Sequence, residues 1–497
     1  MKNRILLSAA SLFFVCQVSA QSYLDAQLFS ETDVIGTART ASMSGAFGAL
    51  GADMSSLSTN PAGLGLYQSV DFSFTLDLGA TDRTSYYSGN KFTSRLGDFN
   101  LTSLGVAFPV KSTPDSDWKR QNFGFAYNKT KDFRANTFIY GNDANSSIVD
   151  VFYDNAYGNN LDELDSFFEL SAFDTDLIDL DVDSNGFIDN GQYFREVFSG
   201  QDQYKEVITE GQMGEIVFSY AGSYQEKLYL GSTLSISTVE YIKRSKYTEN
   251  NFNDTLSTVQ SFDFYENQYT SGSGVGLKLG AIYKVNKNLR LGLSWHSPSI
   301  LYLNDEYETR LDVNHSYNDS AYAYSKSSPY GMYDYQVTTP SKLMVSGALV
   351  LSKQFVVSAD FELVDYSEAS LSGQPGDEQY FNDQNAIIQN RYSEVANMKL
   401  GAELNLTSIL LRAGYANYGN PLAGDLTSVD PTANFYSSER EMYSVGFGRR
   451  NQFSYIDFAF VFSEGSYTTW LYNANYTPPV KVVDTNYSLL LTMGWKF

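Results

Sequence analysis

Residues 487–497 of this chain read Tyr-Ser-Leu-Leu-Leu-Thr-Met-Gly-Trp-Lys-Phe, and this stretch decides the fold. Every odd position from Tyr487 to Phe497 carries a large apolar residue, whereas the even positions are mostly small or polar. A strict period of two predicts a β-strand whose two faces meet different environments. The rest of the chain can be searched for the same pattern.

The alternation recurs after about residue 69 and defines fourteen candidate strands. They begin near residues 69, 100, 122, 214, 227, 270, 289, 335, 355, 394, 408, 440, 453 and 485. Short turns alternate between them with long polar connections, such as those expected over residues 81–99 and 132–213, as they do in outer-membrane barrels. We therefore predict an all-β fold: a 14-stranded antiparallel transmembrane β-barrel over residues 69–497, with long extracellular loops.

A secreted β-sandwich or repeat protein would also show alternation. The barrel is favoured because the apolar faces are continuous and because aromatic residues crowd the strand ends, where interfacial girdles belong. The aromatic C-terminus also resembles the signal that the bacterial barrel-insertion machinery reads. We expect a Gram-negative outer-membrane protein, a monomer, whose partners are lipid, lipopolysaccharide and that machinery.

Composition excludes several other classes. Among 497 residues there are 38 Tyr, 34 Phe and 4 Trp, and the formal net charge is −23. Disordered chains are poor in aromatic residues, and nucleic-acid binding needs clustered Lys and Arg. The mean hydropathy of −0.28 and the lack of a long apolar run after residue 20 argue against a helical membrane protein.

Residues 1–20 have the features of a secretory signal peptide. Lys2 and Arg4 precede a short apolar stretch, and Val18-Ser19-Ala20 is a typical small-residue cleavage site. Cleavage before Gln21 would remove Cys16, the single cysteine, and with it disulfides, thiolate metal sites and cysteine nucleophiles. Loss of Lys2 and Arg4 would change the net charge from −23 to −25.

Residues 21–68 differ from the strands in amino-acid composition. The stretch 36–53 is mostly Gly, Ala, Ser and Thr, and Asn60-Pro61-Ala62-Gly63-Leu64 follows it. Small residues allow backbone to pack closely against backbone, and Asn-Pro sets a turn. Irregular backbone at membrane depth is tolerated inside a barrel lumen. A flexible periplasmic linker is the alternative reading of the same composition.

This segment resembles the N-terminal hatch of the FadL/TodX family of outer-membrane transporters of hydrophobic compounds. The shared features are Gly36-Thr37-Ala38-Arg39, Ala46-Phe47-Gly48, Asp53 with two following serines, Asn60–Leu64, and Thr339-Pro340-Ser341-Lys342 at the start of a strand. The resemblance implies a luminal hatch that gates passive uptake of long-chain fatty acids or other hydrophobic compounds. It also implies a side exit at a kink in the third strand, although that strand, Phe123 to Lys131, has Gly124 but no proline.

A fatty-acid channel needs an apolar slot and a cation for the carboxylate. Lys399 and Arg412 are predicted to point into the lumen and are candidates for that cation. Pairing of these cations with Asp360, Glu362 and Glu403 across the lumen is the alternative. Hatch residues predicted to line the slot are Leu50, Met54, Leu57, Leu64 and Leu66.

The predicted extracellular loop 132–213 is strongly acidic, with 18 Asp+Glu and three basic residues. Within it, residues 181–192 match a calcium loop of the EF-hand type, although Gln192 replaces the usual bidentate carboxylate. The candidate ligands are Asp181, Asp183, Asn185, Phe187 (through its carbonyl), Asp189 and Gln192. Helices are expected on both sides, over Leu161–Phe173 and Tyr193–Val207. We expect weak, structural Ca²⁺ binding and no required cofactor; a solvated acidic loop is the alternative.

Catalysis is not expected. His296 and His315 are the only imidazoles, and neighbouring residues on a strand point to opposite faces, so neither forms a dyad with the adjacent serine. The remaining alternatives to a transporter of hydrophobic compounds are a haemin receptor and a structural or adhesive barrel whose loops bind calcium.

Overall fold

The computed structural model describes residues 21–33, 36–113, 115–182, 188–196, 198–253, 257–318, 320–351, 354–422, 436–437 and 439–497. The predicted signal peptide, residues 1–20, lies outside this range. No helix among the described residues is long and apolar enough to cross a membrane.

The strands form one closed antiparallel barrel, which confirms the predicted fourteen. They are β1 (Asp71–Tyr87), β2 (Asn90–Lys111), β3 (Trp118–Asp132 and Ala135–Ala144), β4 (Gln201–Tyr224), β5 (Leu228–Asn250), β6 (Val259–Lys284), β7 (Leu289–His296 and Ile300–Tyr317), β8 (Ser320–Ser327, Gly331–Thr338 and Lys342–Val350), β9 (Phe355–Asp365 and Ser370–Ser372), β10 (Glu394–Leu406), β11 (Ile409–Tyr418), β12 (Tyr436–Ser437 and Arg440–Arg450), β13 (Ser454–Thr469) and β14 (Val480–Lys496). The barrel closes between β1 and β14, which pair from Asp71–Lys496 to Tyr86–Lys481.

The period-two pattern of the last strand determines which side chains face lipid. Leu489 and Trp495 on β14 point outward and are exposed, whereas Leu490 and Thr492 point into the lumen and are buried. Closure leaves no unpaired strand edge in lipid along most of the wall. The same division holds on β1, where Leu78 faces outward and Thr75 inward.

The strands extend further on the loop side than the sequence pattern predicts. β1 and β2 meet at a tight turn through Ser88 and Gly89, both with positive φ, where a long loop over residues 81–99 was expected. Strands also occupy both ends of the expected loop 132–213, so the connection between β3 and β4 is residues 145–200. Strand ends that project beyond the lipid meet water outside the barrel, and they therefore lack the apolar alternation used to find them.

Short helices fill the two ends of the lumen. In chain order the α-helices are α1 (Tyr23–Leu28), α2 (Ala38–Ala41), α3 (Ser56–Thr59), α4 (Ile148–Ala156), α5 (Glu169–Asp174) and α6 (Glu378–Arg391), and the 3₁₀ turns are Pro61–Leu66, Leu161–Glu163 and Tyr366–Glu368. We call residues 21–33 the arm, residues 36–67 the hatch, and residues 145–200 the cap. The cap packs an apolar core that includes Phe152, Ile178 and Tyr193 onto inward residues of the barrel such as Phe262 and Val313.

Candidate functional site: hatch, cavity and wall gap

The hatch lies inside the barrel, and side chains of the wall satisfy its irregular backbone. The amide N–H groups of Phe47 and Gly48 both donate to Asp360 Oδ2 at 2.9 Å. The amide of Ala38 donates to Thr492 Oγ1 at 2.7 Å, from the strand that closes the barrel. An unpaired backbone group at this depth would be costly, so these bonds fix the hatch against the wall.

The Asn60–Leu64 motif, predicted to act in gating, is buried against the wall. Asn60 accepts from the amide of Ala62 at 3.2 Å and donates to the carbonyl of Gly48 at 2.7 Å. A Cβ atom added at Gly280 of β6 would lie 2.1 Å from Asn60 Oδ1, so this wall glycine allows the close approach. The motif therefore has a structural role in holding the hatch, and its role in gating stays a prediction.

The predicted lining residues of the hatch also contact the wall. Leu50 packs with Phe47 and Ala348, whereas Met54, Leu57 and Leu64 pack with Ala107, Ala126 and Val217. Leu66 packs beside Ala62, Tyr229 and Ile282. Gly124 of β3 is explained by the same packing, since a Cβ atom there would lie 2.8 Å from Leu57. None of these leucines, nor Met54, lines the cavity described below.

The two predicted cation candidates form ion pairs with wall carboxylates. Arg412, with a fully buried side chain, donates to Glu403 and Asp457, both at 2.7 Å. Lys399 pairs with Glu362 at 3.2 Å. Arg39 of the hatch joins the first group through Glu403 at 3.3 Å. Both side chains are thus paired with carboxylates of nearby strands along the wall rather than across the lumen, and their role in ligand binding stays a prediction.

A cavity of about 770 Å³ lies above the hatch, between the arm and the cap. Its lining combines apolar side chains with charged ones. The apolar residues include Ile139, Ile148, Phe168, Phe264 and Leu471. Two of its inward lysines have no carboxylate partner among the described residues: Lys205 donates to the carbonyl of Leu471 at 2.5 Å, whereas Lys243 forms no hydrogen bond or ion pair with any described residue. Sequence reasoning missed both, because they lie beyond the apolar part of their strands.

The wall beside this cavity is interrupted between β2 and β3. Pairing of the two strands stops at Ser103–Asn128, although β2 continues beside β1 as far as Asn90. Beyond Phe133 and Arg134, β3 pairs with β4 alone and leans across the inside of β1, where Ser85 donates to the carbonyl of Phe138 at 2.5 Å. The third strand is therefore kinked without a proline.

Charged side chains of β2 and β3 line this wall gap, and the cavity reaches them. Arg134 lies 3.5 Å from Asp98, and Asn100 donates to Asp132 at 3.3 Å. Lys129 forms a close ion pair with Asp132. The sequence does contain a signal for the kink: the outward aromatics change from odd positions (Phe123, Phe125, Tyr127) to even ones (Phe138, Tyr140).

The arm covers the kink from inside. The amide of Asp33 donates to the carbonyl of Thr130 at 2.8 Å, and Lys131 pairs with Glu31 at 3.1 Å. The rings of Phe29 and Phe133 meet edge to face, with centroids 6.1 Å apart. Burial raises the pKa of Asp33, but the charges of Arg440 and Lys131, together with hydrogen bonds, outweigh burial and hold this pKa below its usual range.

The structure describes only part of the predicted calcium loop. Asp183, Asn185 and Phe187 lie outside the described residues, as does the side chain of Asp189. Asp181 and Gln192 belong to the two strands of a hairpin, Ile178–Val182 and Ile188–Arg195. The expected helix over Tyr193–Val207 is wrong, because this stretch contributes to the hairpin and to β4; calcium binding itself stays a prediction.

Both histidines have hydrogen-bond partners in the backbone. His296 Nε2 lies 2.8 Å from the carbonyl oxygen of Thr59, in the hatch. His315 Nε2 lies 3.0 Å from that of Thr175, in the cap. Both imidazoles thus connect the wall to a luminal element.

A closed antiparallel barrel with a luminal plug, short turns at one end and long loops at the other defines an outer-membrane transport channel. Residues 206–486, more than half of the chain, match the family described as "Outer membrane protein transport protein (OMPP1/FadL/TodX)". The chain belongs to this family, as the hatch resemblance predicted, and its place is the outer membrane.

Solved structures agree with the fold. A FadL homologue from Pseudomonas aeruginosa is 11% identical, with a TM-score of 0.56 over 94% of this chain and 100% of that one. The toluene transporter TodX from Pseudomonas putida is 14% identical, with a TM-score of 0.50 over 94% of this chain and 99% of that one. No curated protein sequence matches the chain.

Proposed function

We propose that this channel takes up long-chain fatty acids or similar amphiphiles through the cavity above the hatch. The observation that supports this proposal is the cavity itself, which combines apolar walls, an unpaired lysine and an end at the wall gap. Its volume of about 770 Å³ falls within the usual range for ligand sites. The chain carries out no catalysis in this proposal.

Lys243 is the cation that would receive the carboxylate. Its ammonium projects into the cavity from β5 and has no hydrogen-bond or ion-pair partner among the described residues, in contrast to Arg412 and Lys399. Phe264 and Ile139 offer apolar surface for the acyl chain in the same cavity. A hydrogen bond between an ammonium and a carboxylate is strong in a site shielded from water.

Binding of a long-chain fatty acid and of the fatty alcohol of equal length tests the assignment. Lys243→Met should weaken binding of the acid by roughly tenfold to a hundredfold, the effect of one charge-assisted hydrogen bond, and should leave the alcohol unchanged. Lys287→Met, in an exposed turn at the other end of the barrel, is the control. Equal effects on both ligands, or none on the acid, would refute the role of Lys243.

The route out of the cavity would be the wall gap. Asn100 and Arg134 face each other across it through a close hydrogen bond between their side chains. The predicted mature chain has no cysteine, so Asn100→Cys with Arg134→Cys can be linked by a short bismaleimide. Linking should stop uptake while binding persists, and the unlinked double variant is the control. Normal uptake after complete linking would exclude the lateral route.

A further inference from the structure

The residue that would follow signal cleavage is buried in the barrel. Gln21 is only 2% exposed, and its side-chain amide donates to Asp305 Oδ2 at 2.9 Å. Its carbonyl accepts from the hydroxyl of Tyr380 in α6. Processing before Gln21 would therefore create a new amino terminus in the interior, at the upper end of the arm.

Two carboxylates surround this position, and neither is in contact with a cation. Asp25 accepts from the amide of Ser22 at 3.0 Å, and Asp305 accepts from Gln21 and Thr270, the latter at 2.6 Å. Both acids are buried, and neither forms an ion pair with a described residue. Lys243 is a nearby cation and acts on Asp25 only through space.

The pair of buried carboxylates, Asp25 and Asp305, has no positive charge in contact to balance it. Burial and the charge of Asp305 together raise the pKa of Asp25 to about 8. Like charges that share a buried site disfavour each other's ionisation, and a buried charge without a partner is costly. Tyr335 and Tyr241, which also face the pair, supply hydroxyl groups and no positive charge.

We propose that the missing cation is the α-ammonium of Gln21, which forms on signal cleavage and binds between Asp25 and Asp305. Hydrolysis breaks the Ala20–Gln21 peptide bond: the oxygen of water becomes part of the Ala20 carboxylate, and the nitrogen of Gln21 takes up protons to become ammonium. Backbone nitrogens of consecutive residues lie within about 4 Å. Because the amide of Ser22 already contacts Asp25, the ammonium of Gln21 is within reach of the same carboxylate.

Processing then controls how the arm is seated. In the uncleaved chain, residue 21 contributes a neutral amide, and burial and Asp305 disfavour ionisation of Asp25. In the cleaved chain, a buried ammonium links α1, through Asp25, to β7, through Asp305. The arm is therefore held more firmly after the signal is removed.

The amino terminus of the protein purified from outer membranes is the first measurement. Intact mass and terminal sequencing should give Gln21 with a free amine. In the folded protein, an amine-reactive reagent should modify that amine at least about tenfold more slowly than in the denatured chain. A different first residue would overturn the proposal, as would rapid labelling. So would pyroglutamate, in which the amine attacks Cδ of Gln21 and ammonia leaves, because cyclisation removes the cation.

Neutralising the two acids gives a second test, because the presence and the absence of the ammonium predict opposite changes in the rate of protease cleavage. If the ammonium is present, Asp25→Asn and Asp305→Asn should each speed protease cleavage within residues 21–33 by roughly tenfold. If the carboxylates only repel each other, the same variants should slow it. Slower or unchanged cleavage overturns the proposal. Asp334→Asn, an exposed carboxylate on β8, is the control.

A third variant tests whether the ammonium must lie at residue 21 or need only be present at the amino terminus. Two alanines inserted between Ala20 and Gln21 keep an ammonium on the processed chain but shift it by about 7 Å. This insertion should loosen the arm as much as Asp305→Asn does. An insertion that leaves protease resistance unchanged would contradict the proposal.

Discussion

The side chain of Asp360 gives the sharpest test of how the hatch is held. One of its oxygens accepts from two hatch amides, those of Phe47 and Gly48, both at 2.9 Å, and the residue is fully buried. Asp360→Ala removes both bonds and leaves two buried N–H groups unpaired. A hydrogen bond to a charged group contributes about 1.5–3 kcal/mol, and relief of the buried charge offsets part of the loss. We expect a net cost of about 3 kcal/mol, or roughly a hundredfold more undocked hatch.

Single-channel conductance in planar bilayers and protease cleavage within the hatch should report this change. Asp360→Ala should show frequent large openings and rapid hatch cleavage, while the barrel keeps its resistance to unfolding in detergent. Asp360→Asn retains an acceptor oxygen without the charge, so its effect should be smaller. Asp82→Ala, which breaks a wall ion pair to the exposed Arg95, is the control.

Conductance and protease resistance of Asp360→Ala equal to those of the parent would contradict this expectation. In that case the hatch would depend on its apolar contacts rather than on hydrogen bonds to the wall. A barrel that no longer folds would be recognised by its loss of detergent resistance, and Asp360→Asn would then decide the question.

Two further predictions concern packing and pH. Gly280→Ala places a Cβ atom 2.1 Å from Asn60 Oδ1, so it should displace the Asn60–Leu64 motif at a cost of about 1–3 kcal/mol and speed proteolysis of the hatch. Gly347→Ala is the control, because its Cβ atom meets no atom within 4 Å and the variant should behave like the parent. Equal proteolysis of the two variants would contradict the packing of Asn60 against Gly280. Acid should loosen the arm, because it protonates Asp33. The pKa of Asp33 lies below its ordinary value of 3.8, so the ion pair between Asp33 and Arg440 stabilises the arm fully at pH values above 3.8. This stabilisation is lost as the pH falls through the lowered pKa. Protease resistance of residues 21–33 should follow this dependence in the parent and depend less on pH in Arg440→Met, in which Lys131 still lowers the pKa of Asp33.

The sequence predicted the barrel well because lipid imposes one simple rule on every strand. Outward positions such as Leu489 and Trp495 must be apolar, so the number of strands and their lipid-side starts can be counted from alternation. The rule ends where the lipid ends. The upper parts of β1, β2 and β3 are therefore strands with a loop-like composition, and the kink after Lys129 appears only as a change in the parity of the aromatics.

The candidate site was harder to predict because inward residues serve the hatch as well as any ligand. Arg412 and Asp360 are conspicuous in the sequence as buried charges, and both prove to bind protein groups. Lys243 is one of many polar residues in its stretch, and only its place beside the cavity distinguishes it. Alternation gives the face of the wall on which a side chain lies, but not its partner in the lumen.

The division of the N-terminal segment into hatch and arm bears on which part moves. The hatch is bonded to strands around the barrel, from Asp360 on β9 to Thr492 on β14, so moving it would break bonds on several sides at once. The arm is bonded to Thr130 and Lys131 at the kink, where cargo would pass, to α6 in a loop, and through single side chains to Asp305 on β7 and Arg440 on β12. Cargo that leaves through the gap must displace the arm but not the hatch. We therefore infer that the arm is the moving element, and that weakening it should speed lateral release without opening an axial pore.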